Sequence, residues 1–256
     1  MKIFACGCHP DDIEFMMAGT LILCKRLGWE IHYMNIANGN CGTQEYSSEE
    51  IIGIRRGEAL AAAASIGAVF HESITDDLTV FFCDSLLRKV ASVVREIKPD
   101  IMLIQSPQDY MEDHMNAARL AVTAAFAKGM PNYVTDPPVA AYDGNVTLYH
   151  ALPYDLKDGM RQSIAPEIFV DVSAAMDDKK KMLALHRSQK EWLDKSQGLD
   201  SYVKSMEEMT AEVGRMSGRF SYAEGWRRHL HRGYSTLDLD PLSEALGARC
   251  GKHIRQ

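Results

Sequence analysis

The chain has no apolar run of about 18 residues or more, the length a spanning helix needs, so no membrane span is expected. It also lacks an excess of Lys and Arg. Its 28 basic residues stand against 35 acidic ones, a formal net charge of −7, which argues against a nucleic-acid partner. Its six cysteines, Cys6, Cys8, Cys24, Cys41, Cys83 and Cys250, show no paired zinc-ribbon spacing. Read as small buried hydrophobes, they fit a reducing, cytoplasmic location. The N-terminus opens on a short apolar run, without the basic stretch, long apolar core and cleavage site of a secretory leader. Gly7 and Gly19 flank the first turn without Gly-x-Gly-x-x-Gly spacing, so a dinucleotide site is not expected. No repeat or low-complexity linker divides the 256 residues, which suffice for one large domain or a domain with an appendage.

What is present is alternation. Lys2 to Cys8 reads as a buried strand, Ile13 to Gly28 as a helix, and Glu30 to Ala37 as a second strand ending in a glycine-rich loop at 38–42. Ser47 starts a helix that runs to Ile66. A short strand at 68–72, a helix from Asp84 to Lys98 and an apolar strand at Ile101 to Ile104 follow. A helix from His114 to Lys128 comes next, then short strands near 139–142, 146–150 and 168–172. Helices are expected at 174–188 and 202–216, joined by a polar loop. The pattern implies a three-layer α/β/α, Rossmann-like, mainly parallel sheet. A core of about 1–175 would carry a C-terminal helical extension of about 176–256, together forming one domain.

Two strand ends carry polar clusters unsuited to mere packing. One holds His9, Asp11 and Asp12; the other holds Asp113 and His114. In a doubly wound sheet the first and fourth strands are neighbours at the switch point, where ligands bind. His9, Asp12 and His114 would then supply two imidazoles and a carboxylate, the donor set of a catalytic zinc site with an open position. Asp11 remains free as a general base for water. The plainer alternative is that Asp11 and Asp12 only cap the following helix.

The stretch Cys8-His9-Pro10-Asp11-Asp12-Ile13-Glu14 resembles the Ala-His-Pro-Asp-Asp-x-Glu signature of the PIG-L/LmbE superfamily of zinc-dependent N-acetylglucosaminyl deacetylases. Met111-Glu112-Asp113-His114 stands where that family has His-Pro-Asp-His. Arg55-x-x-Glu58 and His186-x-Ser188-Gln189 resemble the family more weakly. The resemblance implies an LmbE-like fold and His9, Asp12 and His114 as ligands of zinc, with Fe2+ also acceptable to them. It implies Asp11 as the base and removal of an acetyl group from a small N-acetylated amino sugar. It also implies a homo-oligomer, trimer or hexamer.

One departure is Met111, which replaces a histidine that stabilises charge or donates a proton. Asp113 would thereby lose its usual partner. Asp11 itself, His229 or His231 are then candidate acids, and Tyr110 a candidate oxyanion donor. Arg55 either anchors substrate hydroxyls or pairs with Glu58. Arg55, Asp113 and Tyr110 are the candidate substrate contacts. Cys8 would point to the opposite side of the strand from His9. The basic, aromatic stretch 226–232 suggests a substrate lid or a subunit contact. A hydrolase of another N-acyl group, or a metal-binding protein without turnover, are the alternatives that Met111 raises.

Overall fold

The computed structural model describes residues 1–197 and 201–252, with side chains placed outside 193–201. In chain order it runs β1 (Lys2–Gly7), α1 (Asp12–Met16), α2 (Ala18–Arg26), β2 (Glu30–Asn35), α3 (Ser48–Ser65), β3 (Val69–His71), α4 (Asp84–Ile97), β4 (Ile101–Ile104) and α5 (Glu112–Phe126). It continues with β5 (Thr147–Ala151), β6 (Ile168–Asp171), α6 (Met176–Leu183), α7 (Arg187–Gln197), α8 (Ser201–Met216), β7 (Ala223–Arg228), α9 (Pro241–Leu246) and β8 (Cys250–Lys252). No described helix is long and apolar enough to cross a membrane.

The strands form one sheet in the order β3-β2-β1-β4-β5-β7-β6-β8. β1 pairs in parallel with β2 on one side and β4 on the other, so the order reverses there and a crevice opens at the two strand ends. Alternation along β1 sorts the core into two layers. Ile3 and Ala5 face the apolar cluster that includes residues of α2, α3, α6 and α8. Phe4 and Cys6 face the cluster built with α4 and α5. This is the expected three-layer, mainly parallel architecture.

Four local expectations are corrected. The helix expected over 13–28 is two helices, because Glu224 of β7 accepts the amides of Gly19 (2.8 Å) and Thr20 (2.7 Å) and starts α2 anew. Residues 139–142 form no strand: the carbonyl of Val139 takes the Arg95 guanidinium and the amide of Tyr142 bonds Lys128. The helix expected over 174–188 breaks before Arg187, and α7 occupies most of the expected polar loop; the rest of that loop, 198–200, lies outside the described residues. The C-terminal segment supplies strands as well as helices. β7 lies antiparallel between β5 and β6, so residues 226–228 of the basic, aromatic stretch belong to the sheet rather than to a lid. Its Trp226 is fully buried and donates to Thr20 Oγ1 at 3.1 Å.

Glu224 also holds Lys179 Nζ at 2.6 Å, both groups almost fully buried. Glu224→Ala is expected to cost about 3–5 kcal/mol, because it leaves a buried ammonium alone and uncaps α2. Urea unfolding measures this, and a loss under about 1 kcal/mol would contradict it.

Candidate metal centre

β1 ends at Gly7, and the turn Cys8–Asp11 delivers Asp12 to the start of α1. The loop after β4 delivers His114 to the first turn of α5. The two imidazoles meet: His9 Nδ1 lies 3.2 Å from His114 Nε2. The Asp12 carboxylate completes the cluster, with Oδ1 3.4 Å from His114 Nε2 and Oδ2 3.6 Å from His9 Nδ1. Two nitrogens about 2.1 Å from one tetrahedral ion stand roughly 3.4 Å apart, so these spacings fit a single cation. The donor set of two imidazoles and a carboxylate suits zinc or ferrous iron.

The outer nitrogens are also engaged. His9 Nε2 faces Asp113 Oδ2 at 3.2 Å, and His114 Nδ1 faces Asp109 Oδ2 at 3.1 Å. Such carboxylate partners fix the tautomer and strengthen an imidazole as a ligand. Burial works against charging His9 and His114, but the surrounding acids outweigh it and raise both. Burial alone would raise Asp12; His114, His9 and the hydrogen bonds to its carboxylate instead hold it well below the usual carboxylate range. The site is thus a buried, electronegative cradle.

Asp11 borders it. Its backbone sits at φ 126°, a strained conformation for any residue but glycine. Tyr202 of α8 donates its hydroxyl to Asp11 Oδ2 at 2.8 Å, and Arg55 Nη2 lies 3.6 Å from the same oxygen. Burial raises Asp11 above its ordinary value, against the pull of Arg55, His186 and Tyr202. His186 is fully buried, 3.3 Å from Glu14 Oε2, and lies close enough to help draw Asp11 down.

Arg55 does not pair with Glu58. It is buried under the glycine-rich loop, donating to the carbonyls of Gly39 (3.4 Å) and Pro10. A Cβ at Gly39 would stand 2.5 Å from the Arg55 side chain and one at Gly42 2.4 Å from it, so both glycines admit the guanidinium. Glu58 accepts instead from the amide (2.8 Å) and hydroxyl (2.7 Å) of Ser188, while Gln189 donates to Gly42 O at 2.8 Å. The two weakest sequence motifs therefore bond to each other and clamp α3 to α7.

These residues open onto a cavity of about 370 Å3 lined by His9, Asp11, Asp12, His114, Arg55, Met111 and Tyr110, with Phe15, Tyr154, Trp192 and Tyr202 as an aromatic wall. Asp113 is not among the lining residues; it holds His9 and accepts the amide of Leu78 at 2.6 Å. Its expected role as a substrate contact is corrected to support of His9, a partner the loss of a histidine at 111 does not remove. His229 bonds His150 (3.0 Å) and His231 lies by Asp238 (3.5 Å); neither lines the cavity, and both lose their place as candidate acids. Cys8 is corrected too. Its sulfur lies 3.8 Å from His9 Nε2 and within 4.8 Å of the other donors, because β1 has already ended and strand alternation no longer governs the turn. The sequence reading missed Tyr202, Gln105 and Asp109. Asp109 sat in the same polar loop as His114; Tyr202 offered no local signal.

A family model described as GlcNAc-PI de-N-acetylase matches residues 4–125. A diacetylchitobiose deacetylase of Thermococcus kodakarensis is 27% identical over 234 residues, 88% of this chain and 82% of the relative. A 4-oxalmesaconate hydratase of Pseudomonas putida is 25% identical over 185 residues, 67% of each chain. Among solved structures, the N,N'-diacetylchitobiose deacetylase of Pyrococcus horikoshii in complex with an inhibitor superposes with a TM-score of 0.76 at 21% identity, over 94% of this chain and 88% of that one. Residues 4–125 thus match the de-N-acetylase family model, the chain is similar in sequence to a diacetylchitobiose deacetylase, and its fold is that of the LmbE-like deacetylases.

Proposed function

We propose that this chain is a divalent-metal-dependent N-deacetylase acting on a small N-acetylated amino sugar, with zinc as the resident ion and Fe2+ as the alternative. The observation that carries the reading is the convergence of His9 Nδ1, His114 Nε2 and the Asp12 carboxylate beside the free edge of Asp11. The deacetylases among its relatives support it. We further read residues 1–256 as one domain, since β7 is threaded between β5 and β6. A soluble cytoplasmic trimer or hexamer is proposed with it, to be checked by light scattering and fractionation.

His9, Asp12 and His114 would hold the ion, which when bound polarises the amide carbonyl and makes water acidic enough to attack near neutral pH. Asp11 takes the proton of the attacking water. Its Oδ2 accepts from Tyr202, which leaves Oδ1 to take the proton. Met111 lines the cavity but carries no proton, so Asp11 returns its proton to the departing amine nitrogen. The Tyr110 hydroxyl is the side-chain donor to the carbonyl oxygen as it gains charge. The aromatic wall supplies apolar faces for the sugar ring, and Arg55 steadies the Asp11 edge. Acetate and a free amine are the products.

The test is acetate and amine release from N-acetylglucosamine and diacetylchitobiose by the zinc-loaded protein. Chelation abolishes it and added zinc restores it. No release from either substrate, beside hydration of an unsaturated carboxylate, would transfer the chain to the other chemistry found among its relatives. Tyr202→Phe is expected to lower kcat by about 10–100-fold with little change in KM. It removes one hydrogen bond to a charged group, worth about 1.5–3 kcal/mol. An unchanged kcat would remove Tyr202 from the mechanism.

A further inference from the structure

β4 ends at Ile104, and the next residue, Gln105, is 2% exposed. Its side-chain amide donates to Asp12 Oδ2 at 2.7 Å. The same oxygen accepts the backbone amides of His9 (2.7 Å) and Cys8 (3.2 Å). One oxygen of Asp12 is therefore saturated by N–H donors, while Oδ1 faces His114 Nε2 at 3.4 Å.

Gln105 is itself held from behind. Its carbonyl accepts His150 Nδ1 at 2.9 Å, and His150 Nε2 meets His229 Nδ1 at 3.0 Å. Burial pushes His150 down to about 4. It is neutral near pH 7, with its single proton on Nδ1. The link crosses β4 and β5 and ends just beyond β7, so the C-terminal histidine that sequence offered as an acid reaches the centre only as a distant brace.

We propose that Gln105 is a positioning residue of the metal centre, holding Asp12 so that it binds the ion through Oδ1 alone. The chemistry of the side chain suits the task. A neutral donor of this length reaches Asp12 without cancelling its charge, whereas Glu would repel it, Lys would neutralise it and Leu would release it. Binding through one oxygen keeps a coordination position free of protein, as a catalytic site requires. The inference rests on the metal reading above and extends it to a residue outside the ligand set.

The experiment is metal binding, independent of turnover. Zn2+ affinity is measured by chelator competition, and the visible absorption of the Co2+-loaded protein is recorded, for wild type, Gln105→Leu and Gln105→Glu. The expected result is one ion per wild-type chain and affinity about 10–100-fold weaker in Gln105→Leu, the range found when partners of metal ligands are removed. The Co2+ visible bands of that variant also weaken as Asp12 swings to bind through both oxygens. Equal affinity and an unchanged Co2+ spectrum in a folded variant would overturn the assignment while leaving the metal reading intact. A wild type that binds no ion would end both. Should Gln105→Leu not fold, Gln105→Glu, close in size, decides by the same two measurements.

Discussion

Asp11→Asn is expected to lower kcat by about 10²–10⁴-fold, the range that a positioned general base contributes, while bound metal stays at the wild-type level. Asparagine keeps the size of the side chain and accepts the Tyr202 hydrogen bond, but it cannot take a proton from water. The separation of effects is the informative part, because Asp11 lies outside the cluster of metal-range donors. The measurement pairs steady-state acetate release with metal analysis of the same sample. A variant that keeps more than about a tenth of wild-type kcat would show that another group carries the proton.

His114→Ala is expected to act the other way round, through the ion. It removes one of three donors and leaves His9 and Asp12 with a gap where Nε2 stood. Metal affinity falls more than about 10²-fold, beyond what the loss of a supporting partner costs, and turnover falls with it. The fold remains, because α5 still buries its alanine-rich face against the sheet. Excess zinc recovers part of the lost activity if residual binding survives. Full metal content in His114→Ala would remove His114 from the ligand set and with it the proposed centre.

Met111 bears on both results. Its thioether lines the cavity at the position where the resembled motif has a histidine, and neither His229 nor His231 is among the lining residues. His229 and His231 are committed to His150 and Asp238. In the proposed mechanism Asp11 would therefore make both proton transfers. Burial lifts its proton affinity, and Arg55, His186 and Tyr202 limit the rise.

The sequence by itself determined what is local. The continuous apolar run Ile3 to Cys6 wrote the first strand, buried on both faces. The run Ile101–Ile104 wrote its neighbour. The polar clusters that end these strands, His9 to Asp12 and Asp113–His114, were legible because charged groups at strand ends have no packing reason to be there. Strand order and handedness then bring the two ends together. Tertiary structure alone decided the rest. Tyr202 finds Asp11 across 191 positions, Ser188 finds Glu58 across 130, and Glu224 caps α2 across 205. In each of these hydrogen bonds the pairing itself, between groups far apart in the chain, is announced by no local pattern. Periodicity reports which face of an element is buried, but not which distant group will lie against it, because that choice is made only when the layers pack.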